Sequence, residues 1–279
     1  FDAKLVPLSD GRFDLDDYID YVIEFLAAIG DVDDGAGRDA RPHVLAVCQP
    51  SVPVYAATAL MNADKHPNRP RTLTMMGGPI DTREAPTAVN TLATERPHSW
   101  FEQNVIATVP ASYPGTGRRV YPGFLQLAGF MTMNLGNHMI SHWELFKHLV
   151  RGDGENADAT MRFYDEYRSV CDMTAEFYLQ TIDLVFQTHA LPNGEMTHRG
   201  RKVDPAAITD TAVLAVEGEK DDISGLGQTR AALTIATGLA DEMKHYHMAP
   251  DVGHYGIFNG SKWRNQIAPV LEEWIAKHS

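Results

Sequence analysis

Three residues of the sequence could together carry out nucleophilic catalysis: Cys48, Asp221 and His254. A thiolate can attack an ester carbon, an imidazole can move the protons, and a carboxylate can hold the imidazole in the required tautomer. Each of the three follows a short apolar run, in the order nucleophile, acid, histidine. The sequence therefore predicts a cysteine-dependent acyl-transfer site, provided that the fold brings the ends of these runs together.

The surroundings of Cys48 favour a role as nucleophile. The run HVLAVC, residues 43–48, is typical of a buried parallel strand, and the residues after it favour a helix. A sharp turn from strand to helix exposes one side chain, as in the nucleophile elbow G-x-S-x-G, although Ala46 and Pro50 replace its glycines here. The adjacent helix N-terminus favours a thiolate, and the backbone N–H of Gln49 is the expected oxyanion donor.

The acid and the histidine are predicted from the strands that precede them. Asp221 lies in EKDDISG, directly after the apolar run AVLAVEG, and His254 lies in DVGHYGIFNG, after KHYHMAP. Because the carboxyl ends of parallel strands meet at one edge of a sheet, residues after such strands lie close together. The order of the three residues, nucleophile, acid, histidine, is the order found on α/β-hydrolase folds.

Other residues compete for these roles. Ser51 is an alternative nucleophile, although its position three residues into the turn favours a helix cap. Asp221 is preferred to Asp222 because it lies nearer to the end of its strand, and Asp81, after the preceding strand, stays an alternative acid.

Two further features are interpreted as structural. His138 and His142 have the i, i+4 spacing of zinc ligands, but no third ligand is evident, so we expect a packed helix face. Cys171 lies in an aromatic-rich stretch and is expected in the core, which is also the alternative for Cys48 taken alone. Neither a metal nor an organic cofactor is predicted.

Hydrophobic periodicity indicates the elements that position these residues. Buried strands are predicted at 43–48, 71–80, 212–218 and 243–250, and helices at 15–28, 53–63, 225–238 and 265–278. Residues 84–204 lack a clear buried strand and favour helices, among them 137–150 and 157–189. We therefore expect a hydrolase core formed by residues 1–83 and 205–279, interrupted by a mainly helical cap at 84–204.

The cap is expected to contribute to substrate binding. An insertion between strands of the sheet should lie over their carboxyl ends, and so over Cys48. Met131, Met133 and Trp143 are expected to line an apolar groove there, because methionine side chains adapt to irregular apolar ligands.

Composition narrows the classes of protein and partner. Of the 279 residues, 44% are hydrophobic and 22% charged, as in ordinary globular domains. The formal net charge of −13 argues against nucleic acid and anionic membranes as partners. No apolar run reaches the roughly 18 residues of a spanning helix, and two cysteines form no disulfide framework.

Several strings resemble intracellular polyhydroxyalkanoate (poly-3-hydroxybutyrate) depolymerases, and the resemblance spans almost the whole chain. They are VPLSDGRFDLDDYIDYVIEFL, VCQPSVPV, GGPIDTR, VEGEKDDISGLGQT and GHYGIFNGSKWR. The resemblance implies an α/β-hydrolase fold, with Cys48 as nucleophile, Asp221 as acid and His254 as base. It also implies a polyester of 3-hydroxyacyl units as substrate, on amorphous granules in the cytoplasm.

One departure from the expected fold concerns the start of the chain. In an α/β-hydrolase several strands precede the nucleophile strand, and a loop after an early strand supplies the second oxyanion N–H. Only 42 residues precede His43, and they already include a predicted helix. We therefore expect a family member without its N-terminal region, whose open sheet edge is covered by further polypeptide or by another copy. The oligomeric state stays open, a homo-oligomer included.

Two other functions are compatible with these residues. A polyester synthase uses the same three side chains as an acyltransferase, although small residues normally surround its nucleophile, unlike Gln49 and Pro50 here. Supplying a hydroxyacyl-CoA thioester and analysing for polymer or free acid would separate the two. A granule-coating protein without turnover would not require all three side chains, and product release from amorphous polymer would exclude it.

Overall fold

The structure, a computed structural model, describes residues 2–30, 41–133 and 135–279. The strands of these residues are β1 (His43–Val47), β2 (Thr72–Met76), β3 (Ala107–Thr108), β4 (Arg119–Tyr121), β5 (Met173–Thr174), β6 (Thr197–His198), β7 (Arg201–Lys202), β8 (Ala212–Gly218) and β9 (Lys244–Ala249). The α-helices are α1 (Leu15–Gly30), α2 (Ser51–Ala63), α3 (Ala88–Glu95), α4 (His98–Asn104), α5 (Gly123–Met133), α6 (Leu135–Arg151), α7 (Gly154–Tyr167), α8 (Ala175–Thr181), α9 (Ala231–Ile235), α10 (Gly260–Lys262) and α11 (Ala268–Lys277).

The larger of two compact units contains a parallel sheet. This unit comprises Asp14–Pro97 and Gln180–Ser279, and its four strands lie in the order β1–β2–β8–β9. All three strand pairs are parallel. Every residue of β2 and β8 is buried, which explains why both read as continuous apolar runs. The four strands predicted from these runs are confirmed.

Helix α2, which follows β1, is part of the core of this unit. All residues from Ser51 to Asn62 are buried, and Tyr55 donates its hydroxyl to the carbonyl of Ala232 over 2.9 Å. A helix that is apolar on all sides needs such burial. The helix therefore fixes the direction in which the chain leaves β1, and with it the turn at Cys48.

Strand β1 is an outer strand of the sheet formed by the described residues. Unlike β2 and β8, it is buried only at Ala46, and Leu45 is 46% exposed. An outer strand with apolar exposed side chains offers pairing groups to a further strand. This is the edge at which the sequence predicts additional polypeptide or another copy, and that occupant stays a prediction.

The smaller unit is mainly helical and comprises Phe1–Phe13 and His98–Leu179. It contains helices α4 to α7 and a small antiparallel sheet in the order β3–β4–β5. Buried Arg118 donates to the carbonyls of Val6, Pro7 and Gly11, and so holds the N-terminal segment in this unit. The unit boundaries therefore differ from those expected for a cap at 84–204, and the role of the unit as a cap stays a prediction.

Two predicted helices are shorter in the structure. The helix expected at 157–189 is divided into α7, β5, α8 and a π-helical segment, Ile182–Gln187. Asp172 interrupts it, because its carboxylate accepts from Gly123 N over 2.8 Å, next to residues that pair with β4. The helix expected at 225–238 is reduced to α9, because backbone N–H groups before it bind a buried carboxylate described below.

Candidate active site

Cys48 occupies a sharp turn between β1 and α2. Its φ angle is +61°, a left-handed conformation that costs free energy for any residue except glycine. Its N–H donates to the carbonyl of Met76 in β2 over 2.8 Å, and its carbonyl accepts from Ser51 N over 3.0 Å. The half-buried cysteine thus has the strained strand-to-helix geometry of a nucleophile elbow, although the flanking glycines of that motif are absent.

A glycine from the neighbouring strand supplies the missing space. Gly78 follows β2, and a Cβ atom there would lie 2.1 Å from Oγ of Ser51 and 3.4 Å from the carbonyl oxygen of Cys48. Only glycine therefore allows this close approach to the turn. The sequence pattern around Cys48 could not reveal this, but the Gly-Gly pair at a predicted strand exit was a usable signal.

The hydroxyl of Ser51 and the thiol of Cys171 lie in different surroundings from Cys48. Ser51 is fully buried at the start of α2, and its Oγ is 3.4 Å from the carbonyl oxygen of Ala46. Cys171 is exposed, so the expectation that it belongs to the core is wrong. The reason is that its segment leaves the helix after Tyr167 and runs into β5.

Asp221 and His254 form a buried pair at the exits of β8 and β9. Nδ1 of His254 lies 2.8 Å from Oδ2 of Asp221, and both side chains are at most 5% exposed. The other carboxylate oxygen, Oδ1, accepts from the backbone N–H groups of Ile223 and Ser224 over 2.9 and 2.8 Å. The carboxylate is therefore fixed in one orientation toward the ring.

The Cys48 side chain also interacts with the His254 ring closely enough to affect its pKa. Burial of the ring lowers its pKa, but hydrogen bonds and charge interactions with Asp221 and Cys48 outweigh burial and raise the pKa to about 10. An imidazole with this pKa is protonated at neutral pH. The ring is thus in the state that can donate a proton to a leaving group.

Gly77 packs directly against the acid–histidine pair. Its φ angle is +57°, and a Cβ atom at this position would lie 3.1 Å from Cε1 of His254 and 3.3 Å from Oδ2 of Asp221. The chain thus needs glycine here both for its backbone conformation and for space. No sequence motif predicts this contact of Gly77 with the acid–histidine pair.

The alternative acid, Asp81, is paired with an arginine, and the expected oxyanion donor, Gln49, lies next to Cys48. Asp81 accepts from Nε and Nη2 of Arg83 over 2.8 and 2.7 Å, and the Arg83 side-chain hydrogen bond holds the pKa of this carboxyl below its usual range. Asp221, and not Asp81, is therefore the carboxylate at Nδ1 of His254. Gln49 directly follows Cys48 in the turn, where its backbone N–H is expected to act.

The residues expected to bind substrate belong to the smaller unit. Met131 is partly buried in α5, and Trp143 is 60% exposed in α6. The side chain of Met133 lies outside what the structure describes. Binding by these three residues stays a prediction.

The histidine pair of α6 makes contacts within its own unit. Nδ1 of His138 lies 3.0 Å from the hydroxyl of Tyr164, and Nδ1 of His142 lies 2.8 Å from the carbonyl of His138. In the part of the chain that the structure describes, no group of three or more His, Cys, Asp or Glu residues is placed to hold a metal ion. Among these same residues, no helix is both long enough and apolar enough to cross a membrane.

Comparison with known proteins gives two results for fold. The structure is similar to the monoacylglycerol lipase of Paleococcus ferrophilus, with a TM-score of 0.52 and 12% identity over 96% of this chain and 77% of the lipase. It is also similar to the putative non-heme bromoperoxidase BpoC of Mycobacterium tuberculosis H37Rv, with a TM-score of 0.51 and 12% identity over 99% of this chain and 80% of that chain. The predicted α/β-hydrolase fold is thereby confirmed.

Comparison of sequences assigns the family. None of the curated proteins is significantly similar to the chain. The family described as "PHB de-polymerase C-terminus" matches residues 77–279, a region that includes Asp221 and His254 and begins after Cys48. Since this region covers most of the chain, the protein belongs to the PHB depolymerase family and is a carboxylic ester hydrolase.

Proposed function

We propose that the chain hydrolyses the ester bonds of polyhydroxyalkanoate, such as poly-3-hydroxybutyrate, through a Cys48–His254–Asp221 triad. The observation that carries this proposal is the buried His254–Asp221 pair, 2.8 Å apart, whose histidine interacts with the side chain of Cys48 in its strained turn. This arrangement supports the roles of nucleophile, base and orienting acid for the three residues.

The first half of the reaction acylates the cysteine. The Cys48 thiolate attacks the ester carbonyl carbon, and the carbonyl oxygen becomes an oxyanion that the backbone N–H of Gln49 stabilises. The carbon–oxygen bond of the ester then breaks, and the departing alkoxide takes a proton from the His254 imidazolium. A 3-hydroxyacyl thioester on Cys48 and a polymer end with a free hydroxyl result.

The second half depends on a change in the charge of the site. Acylation removes the thiolate that helps to raise the pKa of His254, so the pKa of the ring falls and the neutral imidazole can act as a base. It takes a proton from water as the water oxygen attacks the thioester carbon. The carbon–sulfur bond breaks, the thiolate is regenerated and the 3-hydroxy acid leaves. Asp221 holds the ring orientation throughout.

The substrate is proposed to be a polymer rather than a small ester. Family membership supports this, and Met131, Met133 and Trp143 are proposed to hold the chain of ester units along an apolar groove. Amorphous granules in the cytoplasm are the proposed location of the polymer.

Mass spectrometry of the protein during turnover tests the mechanism. Rapid acid quenching with a 3-hydroxybutyrate oligomer should give a mass increase of the corresponding acyl group on the peptide that contains Cys48. Cys171, which is exposed, provides an internal control for non-specific acylation. Turnover with an acyl group on Ser51, or with no covalent species, would overturn the proposal.

A further inference from the structure

A buried carboxylate outside the proposed triad organises the segment that follows Asp221. Glu217 in β8 is 1% exposed, and its carboxylate accepts from the backbone N–H groups of Gly227, Thr229 and Arg230 over 2.7–3.0 Å. It also accepts from the hydroxyl of Tyr246 over 2.8 Å. Burial of a carboxylate is unfavourable unless its oxygens are hydrogen-bonded in this way. The carboxylate therefore holds these residues in one conformation.

Thr229, held by this carboxylate, bridges to the strand next to the nucleophile. Its Oγ1 accepts from Gly78 N over 2.8 Å and donates to Gly78 O over 3.0 Å. Thr229 is fully buried, so no water competes for the two backbone groups. A single hydroxyl thus fixes both the N–H and the C=O of Gly78.

Gly78, which this hydroxyl holds, and its neighbour Gly77 contact different members of the proposed triad. Gly78 has room for no Cβ atom against Ser51 at the start of α2, and it lies close to the carbonyl oxygen of Cys48. Gly77 packs against the His254 ring. The Gly77–Gly78 turn thus contacts the nucleophile's turn on one side and the histidine on the other.

We propose that Thr229 is a positioning residue for catalysis, acting through the Gly77–Gly78 turn. Restrained by Glu217, its hydroxyl keeps the turn in place, and the turn sets the approach of the Cys48 sulfur to the His254 ring. The inference rests on the proposed function, because it requires Cys48 to be the nucleophile. Without the hydroxyl, the turn can shift and the thiolate–imidazolium pair loosens.

The test compares variants that differ by one hydroxyl, all in a Cys171→Ala background so that one thiol remains. Thr229→Val keeps the shape of the side chain and removes the bridge, whereas Thr229→Ser retains the hydroxyl. We expect Thr229→Val to lower kcat on a soluble 3-hydroxybutyrate oligomer by about 10²-fold, the order of loss seen for small misplacements of reacting groups, with KM little changed. Thr229→Ser should restore most of kcat.

A second measurement reports on the cysteine directly. The rate of alkylation of Cys48 by iodoacetamide follows the thiolate fraction, so its dependence on pH reports the thiolate–imidazolium pair. Thr229→Val should move the midpoint of this profile to higher pH, and Thr229→Ser should move it back. A role in stability alone would not shift this midpoint in the folded protein.

Thr211→Val is the matched control. Thr211 is also fully buried, and its hydroxyl donates to Pro70 O over 2.7 Å and accepts from Asn62 Nδ2 over 2.9 Å. It lies directly before β8, at the strand end opposite the site. Thr211→Val should lower stability about as much as Thr229→Val does. Its kcat should stay within about twofold of the parent value, and its alkylation midpoint should be unchanged within experimental error, because no reacting group is displaced.

Glu217→Gln keeps the inference testable if Thr229→Val does not fold. The amide preserves side-chain shape but replaces one acceptor oxygen with a donor, so it should give a smaller loss of kcat and the same direction of midpoint shift. Since both residues act through Gly78, the double variant should lose no more than Thr229→Val alone. Additive losses, or Thr229→Val with unchanged kcat and midpoint, would overturn the inference. An acyl adduct absent from Cys48 in the unmutated site would instead overturn the proposed function.

Discussion

Nδ1 of His254 and Oδ2 of Asp221 are 2.8 Å apart in a buried pair, while the second oxygen of the same carboxylate accepts from two backbone N–H groups. The carboxylate therefore cannot rotate without leaving donors unsatisfied. This fixes which nitrogen of the ring faces the acid and which remains for the cysteine.

Asp221→Asn should abolish most activity by inverting this arrangement. The N–H groups of Ile223 and Ser224 hold the amide oxygen at the Oδ1 position, so the NH₂ group faces His254 and enforces the wrong tautomer. We expect kcat to fall about 10⁴-fold, as in triads with the same substitution. Asp222→Asn and Asp81→Asn are the controls and should remain within a few-fold of the parent. A larger loss in Asp81→Asn than in Asp221→Asn would assign the acid to Asp81.

Cys48→Ala should remove hydrolysis of both polymer and soluble esters while the protein stays folded. The Cβ atom and the backbone conformation are retained, and only the sulfur is lost. Cys171→Ala, at an exposed position, should keep the parent rate. Activity is measured as release of 3-hydroxy acid, and folding by circular dichroism. Persistent turnover by pure Cys48→Ala protein would make Ser51 the better nucleophile.

Cys48→Gly should be more stable than Cys48→Ala, although both are inactive. The φ angle of +61° is unfavourable for any side chain with a Cβ atom, and glycine adopts it without this cost. We expect a difference of about 1 kcal/mol in the free energy of unfolding in urea. Equal stabilities would indicate that the turn at position 48 stores no backbone strain.

The pKa of His254 should depend on its two partners. Burial lowers it, and Asp221 and Cys48 together raise it to about 10, so the ring of the parent protein should stay protonated through pH 8. Cys48→Ser removes the thiolate, and Asp221→Asn removes the carboxylate, so each should lower the pKa. With both changes only burial remains, and the ring should titrate below 6.5. Titration of the ring by NMR measures this, and an unchanged pKa in Cys48→Ser would contradict a charged pair.

Trp143→Ala should lower the rate on polymer more than the rate on a short soluble ester. Trp143 is an exposed aromatic side chain of α6, and exposed apolar groups of this size are suited to bind an apolar polymer. We expect about a tenfold loss on amorphous polymer and less than a twofold loss on a monomeric ester, the former corresponding to about 1.4 kcal/mol of binding. Leu92→Ala, at an exposed position of α3, is the control. Equal losses on both substrates would argue against polymer binding by Trp143.

The sheet and the three candidate catalytic residues could be predicted because their signals are local. Buried parallel strands are continuous apolar runs, and the residues after them collect at one edge of the sheet. The strands before Asp221 and His254 were therefore recognisable one by one. The sharp turn at Cys48 followed from the same reasoning, since a predicted strand and a predicted helix are joined there by few residues.

The remaining features depend on contacts between distant residues. Asp172 ends a predicted helix because it binds Gly123, and Glu217 shortens another because it binds the N–H of Thr229. Helical periodicity reports neither contact, because each is made by one polar group with a partner elsewhere in the chain. The space that Gly78 leaves for Ser51 is of the same kind. These are also the contacts on which the geometry around Cys48 depends.

The outer position of β1 has a consequence for local opening. Among the described residues β1 pairs only with β2, whereas β2 and β8 are paired on both sides. In protein without an occupant at this edge, backbone amides of β1 that point away from β2 should exchange with solvent hydrogen far faster than those of β8. Because Cys48 directly follows β1, opening of this single strand would separate the sulfur from His254 while the rest of the sheet stays folded. Catalysis should thus be lost at a lower urea concentration than the global fold, as a separate, earlier transition.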